Sequence, residues 1–119
     1  MNATREVAES YWAAECRRDV DGVMTHYHED ATYQDGAGLL RGQAAIRQYY
    51  EASARDYPGL EVEILREYPA SPDTSAFEVD AVLTDHQGAR FRIQGLISIT
   101  VREGKMASIR CYEDPLKPA

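Results

Sequence analysis

Cysteine is scarce in this chain: Cys16 and Cys111 are the only two in 119 residues. Two thiols so far apart make neither a disulfide scaffold nor a cysteine-based metal framework, and both are expected to be free. Long apolar runs are missing as well. No stretch approaches the roughly 18 apolar residues that a spanning helix needs, and MNATREVAES has neither a signal-type apolar core nor a basic run. The expectation is a soluble, cytoplasmic protein that engages no membrane. Basic residues are outnumbered, 13 Lys and Arg against 20 Asp and Glu, for a net charge of −7. That balance argues against nucleic acid and anionic surfaces, which select clustered Lys and Arg. There is no glycine-rich phosphate cradle, no Walker-type lysine and no nucleophile elbow. Histidine is rare too. His26 and His28 flank Tyr27 at the expected end of a helix with no third ligand placed near them, and His86 falls on an expected hairpin tip, so no metal is implied. Cofactor-free chemistry is the simplest inference.

What the chain does have is a change of period along its length. Val7, Ala8, Tyr11, Trp12, Ala14 and Glu15 or Cys16 recur at helical spacing and predict a first helix from Thr4 to about Arg18. Asp19 can cap a short second helix from Val20 to about His26. ATYQD, residues 31–35, alternates as a strand and is closed by the flexible Gly36 to Gly38. QAAIRQYYEASARDY returns to helical period and stops at Pro58-Gly59. From Leu60 on the reading is sheet: LEVEILREY, SAFEVDAVLTD, ARFRIQGLISITV and KMASIRCYE, with Pro69 to Ser75 as a longer loop. The whole of 1–119 is read as one domain. Helices first and strands afterwards give the α+β class: a cone-shaped, mainly antiparallel sheet wrapped around three N-terminal helices. The open end of such a cone suits a small apolar ligand.

Asp35 raises a question, because strand alternation puts it on the face of Ala31 and Tyr33. One reading is a turn residue that bonds the backbone of Gly36 to Gly38. The other is a carboxylate that works in the cone, with tyrosines whose rings are apolar and whose hydroxyls can donate. Tyr11, Tyr27 and Tyr50 are candidates for that partnership, or for ordinary core aromatics, and Tyr33 is expected to line the wall beside Asp35. Glu15, one turn after Tyr11, either faces the pocket as a second acid or pairs with Arg18 or Arg47 at its rim. Glu113 on the last strand is placed near the mouth.

At YWAAECRRDVDGVMTHYHEDATYQD and RGQAAIRQYY the chain resembles the ketosteroid isomerases, within the nuclear transport factor 2-like and SnoaL-like superfamily. The resemblance implies Asp35 as general base, Tyr11 as oxyanion donor, and Tyr27 and Tyr50 as the tyrosines hydrogen-bonded to it. It places Ile97 where that family has its second oxyanion donor, and neighbouring Gly95 and Ile99 carry no acidic proton either. The implied function is a small cofactor-independent isomerase, cyclase or dehydratase acting on a polycyclic ketone or polyketide-like substrate. The other class open to the same fold is a non-catalytic small-ligand-binding or assembly domain. The family also implies a homodimer through the outer face of the sheet, where Arg92, Leu96, Ser98 and Thr100 are expected.

Overall fold

The computed structural model describes residues 3–119; Met1 and Asn2, the start of the stretch read for a leader, lie outside the described residues. The first helix, α1 (Ala3–Cys16), buries Thr4, Ala8, Tyr11, Trp12 and Ala14, the stripe that three- and four-residue spacing produces. It ends where Asp19 N–H bonds Ala14 O and Arg18 N–H bonds Glu15 O, with Arg18 at φ 55. Asp19 then caps α2 (Val20–Met24), its Oδ1 accepting from Gly22 N at 3.0 Å. Next come β1 (Tyr27–Asp35), β2 (Gly38–Arg41) and α3 (Gln43–Asp56). The remaining strands are β3 (Gly59–Ser71), β4 (Thr74–Thr84), β5 (Arg90–Arg102), β6 (Lys105–Glu113) and β7 (Lys117–Pro118).

The class is α+β, as the sequence implies: helices cover one face of a curved mixed sheet of order β2-β1-β6-β5-β4-β3, with β7 beside β5. The sheet is a path with β2 and β3 at its ends, so the cone is not closed. The strands from β3 to β6 run antiparallel, but β1 joins β6 in parallel. The tight β5–β6 link follows from backbone chemistry. Arg102 pairs with Lys105, and Glu103 and Gly104 between them both have positive φ, the hand of a two-residue turn that matches strand twist.

Three expectations about local structure are corrected. Tyr27 is the first residue of β1 rather than the last of a helix; α2 stops at Met24, and Tyr27 and His28 already extend toward the β6 ladder. His26 does meet the helix end, with Nδ1 2.8 Å from Gly22 O. Gly38 to Arg41 is a strand, because it pairs with Thr32 to Asp35 across a tight turn. The expected loop from Pro69 shrinks to a turn at Pro72-Asp73: Pro69 is tolerated because β3 is an edge strand.

The core lies between the helices and the concave face, built on Trp12, Tyr27, Ile46, Tyr50, Phe77, Ile99, Met106 and Ile109. Trp12 packs edge-on against Phe77 and is a core residue. Phe91, Ile93 and Ile97 face inward, and Arg92 and Leu96 are exposed on the other side of β5.

Candidate functional site

Three phenols converge between the helices and the sheet. Tyr50 on α3 places its hydroxyl 2.5 Å from that of Tyr11 on α1 and 2.6 Å from that of Tyr27 on β1. All three side chains are buried, and their rings meet at tilted to edge-on angles with centroids 6.0–6.1 Å apart. Helical spacing sets the next neighbour: Glu15 stands one turn beyond Tyr11 on the wall of one cavity, and the Tyr11 hydroxyl favours its charged form. A carboxylate can only accept, and each hydroxyl has one proton. With the Tyr11 proton drawn toward an ionised Glu15, Tyr50 would donate to Tyr11 and Tyr27 to Tyr50.

The electrostatics suit that order. Burial pushes the phenols of Tyr11, Tyr27 and Tyr50 well above their ordinary range, so they remain protonated and act as donors. Burial also raises Glu15, from 4.5 to about 7. The neighbouring Tyr11 hydroxyl and the charge of Arg18 oppose that rise, whereas the charge of Glu113 adds to it. Neither arginine read as a rim partner bonds Glu15. Arg18 donates to Ser53 Oγ at 2.8 Å and to Tyr57 O at 3.0 Å, and Arg47 to Asp21 Oδ1 at 2.8 Å.

Glu15 opens onto a cavity of about 80 Å³. Its polar lining comprises Tyr11, Glu15, Tyr33, Tyr49, Cys111 and Glu113, and hydrocarbon such as Val62, Val79, Ile93 and Ile97 from the sheet supplies much of the rest. Tyr27 and Tyr50 lie behind the wall, and their hydrogen bonds lead to it through Tyr11. Glu113 is exposed on its outer side and stands at the mouth; burial of its inner side and the charge of Asp35 raise its proton affinity.

Asp35 does not line this cavity. It shares the inward face of β1 with Tyr33, is half-buried, and sits in a shallow depression with Gln34, Gly36, Arg110, Cys111 and Tyr112. Its Oδ1 accepts from Ala37 N at 2.8 Å, the turn contact anticipated as its structural use. Its charge still reaches Glu113 and Cys111.

Two cavity residues were not singled out from the sequence. Tyr33 donates to Tyr49 at 2.9 Å with ring centroids 4.6 Å apart, and the Cys111 thiol approaches the Tyr33 hydroxyl at 3.6 Å. Alternation along Ile109, Cys111 and Glu113 carries a signal for Cys111, since all three share one face of β6. For Tyr49 the signal is weaker: it is the neighbour of Tyr50 on a helix whose inner face is broad.

A helix-backed, open-ended curved sheet over an acid, phenols and an apolar wall is the architecture of the nuclear transport factor 2-like class. The chain belongs to the SnoaL-like domain family, whose profile matches residues 8–109. Among solved structures it is similar to the Δ5-3-ketosteroid isomerase from Mycobacterium sp., at 18% identity and a TM-score of 0.85, over 94% of this chain and 93% of that one. It is also similar to SalBIII, described as an epoxide hydrolase/cyclase-like enzyme in pyran ring formation in the polyether salinomycin. There the identity is 22% and the TM-score 0.86, over 98% and 95% of the two chains. A third likeness is to an LEH-like epoxide hydrolase of M. tuberculosis, at 23% identity and a TM-score of 0.81, over 95% and 83%. At these identities the likeness establishes the fold.

Proposed function

We propose that the chain is a cofactor-independent acid–base enzyme, an isomerase or cyclase, whose substrate is largely apolar and presents a carbonyl or epoxide oxygen to Tyr11 and Glu15. The observation that carries this reading is a half-buried acid of raised proton affinity placed one helical turn from a phenol on the wall of one largely hydrocarbon cavity. Near neutrality Glu15 holds its proton half the time. It and Tyr11 can then both donate to an oxygen that gains negative charge, in a site where water is largely excluded.

The proton acceptor belongs at the mouth, where Asp35 and Glu113 act on each other. Asp35 is the base that the family resemblance implies, and Glu113 is the member of the pair that lines the cavity. With a ketone, the carboxylate takes a proton from the carbon next to the carbonyl, the electrons move onto oxygen, and Tyr11 and Glu15 hold the enolate. The same proton then returns to another carbon. With an epoxide, Glu15 gives its proton to the oxygen as the C–O bond breaks, and the attacking hydroxyl loses its proton to the mouth carboxylate. The structural relatives are named for ketosteroid isomerase and epoxide hydrolase/cyclase chemistries, which supports a proton-transfer reading without choosing between them. A polycyclic ketone or polyketide-like molecule would insert one ring or functional group into the 80 Å³ chamber and leave the rest in the mouth.

The test uses a β,γ-unsaturated cyclohexenone, scored for conversion to its conjugated isomer, and cyclohexene oxide, scored for opening. Tyr11→Phe and Glu15→Gln should each lower the rate, the former by on the order of 10²–10³ if it removes an oxyanion donor. Asp35→Asn and Glu113→Gln compared side by side assign the base to the variant with the larger loss. A wild-type protein that binds both compounds and turns over neither would place the chain in the ligand-binding class instead.

A further inference from the structure

The second hydrogen-bond chain in the wall has no part in the scheme above. It begins at the Cys111 thiol on β6, passes to the Tyr33 hydroxyl on β1 and ends at the Tyr49 hydroxyl on α3. A phenol has one proton and can also accept. Tyr33 uses its proton on Tyr49, so Tyr49 is the acceptor in that bond and keeps its own. No hydrogen bond from Tyr49 to an acceptor is found among the described residues, and the side chain lines the cavity. Burial holds the Tyr49 phenol above its ordinary range, so it stays a donor.

Its direction follows from the helix. Tyr49 and Tyr50 are consecutive on α3, so they leave the axis roughly 100° apart. Tyr50 reaches the Tyr11 hydroxyl, whereas Tyr49 stacks on Tyr33. The two chains thus deliver donors at separate points: Tyr11 with Glu15 from α1, and Tyr49 from the β1 side. Each is oriented by a donor behind it, as a preorganised site requires.

We propose that Tyr49 is a second substrate-contacting donor, and that the substrate accordingly carries two oxygen acceptors on an apolar frame, one for Tyr11 and Glu15 and one for Tyr49. This rests on the proposed function and narrows its substrate class. Hydroxyketones and hydroxyepoxides fit; an otherwise unsubstituted ketone leaves the Tyr49 proton without a partner once the cavity is filled. A buried donor left unanswered costs about tenfold in affinity, which is the selectivity the pair of chains provides.

The test is a binding titration by protein NMR with cyclohexanone and the positional isomers of hydroxycyclohexanone, on wild type, Tyr49→Phe, Tyr33→Phe and Tyr11→Phe. At least one hydroxyketone is expected to bind wild type about tenfold more tightly than cyclohexanone. Tyr49→Phe keeps the ring and removes the unanswered donor, so it should erase that advantage by bringing cyclohexanone up toward the hydroxyketone rather than by weakening both. Tyr33→Phe keeps the donor but removes what orients it, and should reduce the advantage without erasing it. Tyr11→Phe should weaken every probe. A thermal melt confirms that each variant is folded. If cyclohexanone binds in a Tyr11-dependent way and no hydroxyketone gains over it, or if Tyr49→Phe weakens all probes equally, the inference falls and the proposed function stands. If no probe binds wild type, both fall.

Discussion

Glu15 is the residue on which most of the site depends, and its ionisation is a stability term as well as a chemical one. Its value in the folded protein is about 7 against an ordinary 4.5, chiefly because burial disfavours the charged form. Between those two values the native protein holds more protons than the unfolded chain, so stability falls as pH rises through that window and levels off above it. The penalty is at most about 3 kcal/mol at alkaline pH, by the conversion of roughly 1.4 kcal/mol per pKa unit. Glu15→Gln should therefore match wild type near pH 5 and exceed it by about 2–3 kcal/mol near pH 8. Urea denaturation at the two pH values measures the difference. A variant that gains nothing at the higher pH would mean that the carboxyl is well hydrated. The same substitution should flatten the pH dependence of any activity near neutrality, so the destabilising group and the chemically useful group are one.

Between elements, the turn after α1 is where local cost and site chemistry meet. Arg18 occupies the left-handed position that ends a helix, where glycine carries no Cβ penalty. Its guanidinium ties α1 to the end of α3 through Ser53 and Tyr57, and its charge lowers the proton affinity of Glu15. Arg18→Ala loses those bonds and keeps the strain; Arg18→Gly loses the bonds and the strain together. The glycine variant should be about 1 kcal/mol more stable than the alanine variant in urea. Both should raise the Glu15 titration midpoint above that of wild type. Equal stability of the two would remove the argument from backbone strain. The elements themselves were legible in the sequence wherever a period ran long enough, as in the Val7-to-Ala14 stripe of α1 or the alternation along β4 and β5. Gly38 to Arg41 was not, because four residues define no period and the strand exists only by pairing with β1. Nor could alternation reveal that β1 lies parallel to β6, a partner more than seventy residues away. The site divides in the same way. Glu15 follows from Tyr11 by one helical turn, and the face of Asp35 follows from Tyr33. The rotation of Asp35 toward Ala37 N and the Cys111–Tyr33–Tyr49 chain depend on contacts between distant elements.

At the scale of the molecule, the convex face of the sheet is the surface that the rest of the architecture leaves uncovered. Leu65, Tyr68, Leu96 and Tyr112 are all exposed there and border one depression, together with Ala76, Glu78 and Gln94. The register explains the grouping. Glu78 pairs with Leu96 and Leu96 with Tyr112, so one row crosses three strands; alternation from Ile64 puts Leu65 on the outer face, and the shift between Ile64 and Arg66 leaves Arg66 there beside it. Arg66 and Arg110 lie over the rings of Tyr68 and Tyr112 at about 6 Å, which gives the apolar patch a charged rim. We propose that a second copy of the chain packs on this face, a pairing in which each copy presents the same patch to the other. Leu96→Glu places a charge at the centre of that patch, on the side of β5 away from the cavity. Sedimentation equilibrium should report a dimer for wild type and a monomer for Leu96→Glu, with ligand affinity in the cavity nearly unchanged. A wild-type monomer at high protein concentration, or a variant that still pairs, would show that the patch is not the interface. A variant that dissociates and also loses ligand affinity would show instead that pairing holds β5 and β6 in the curvature that closes the cavity wall.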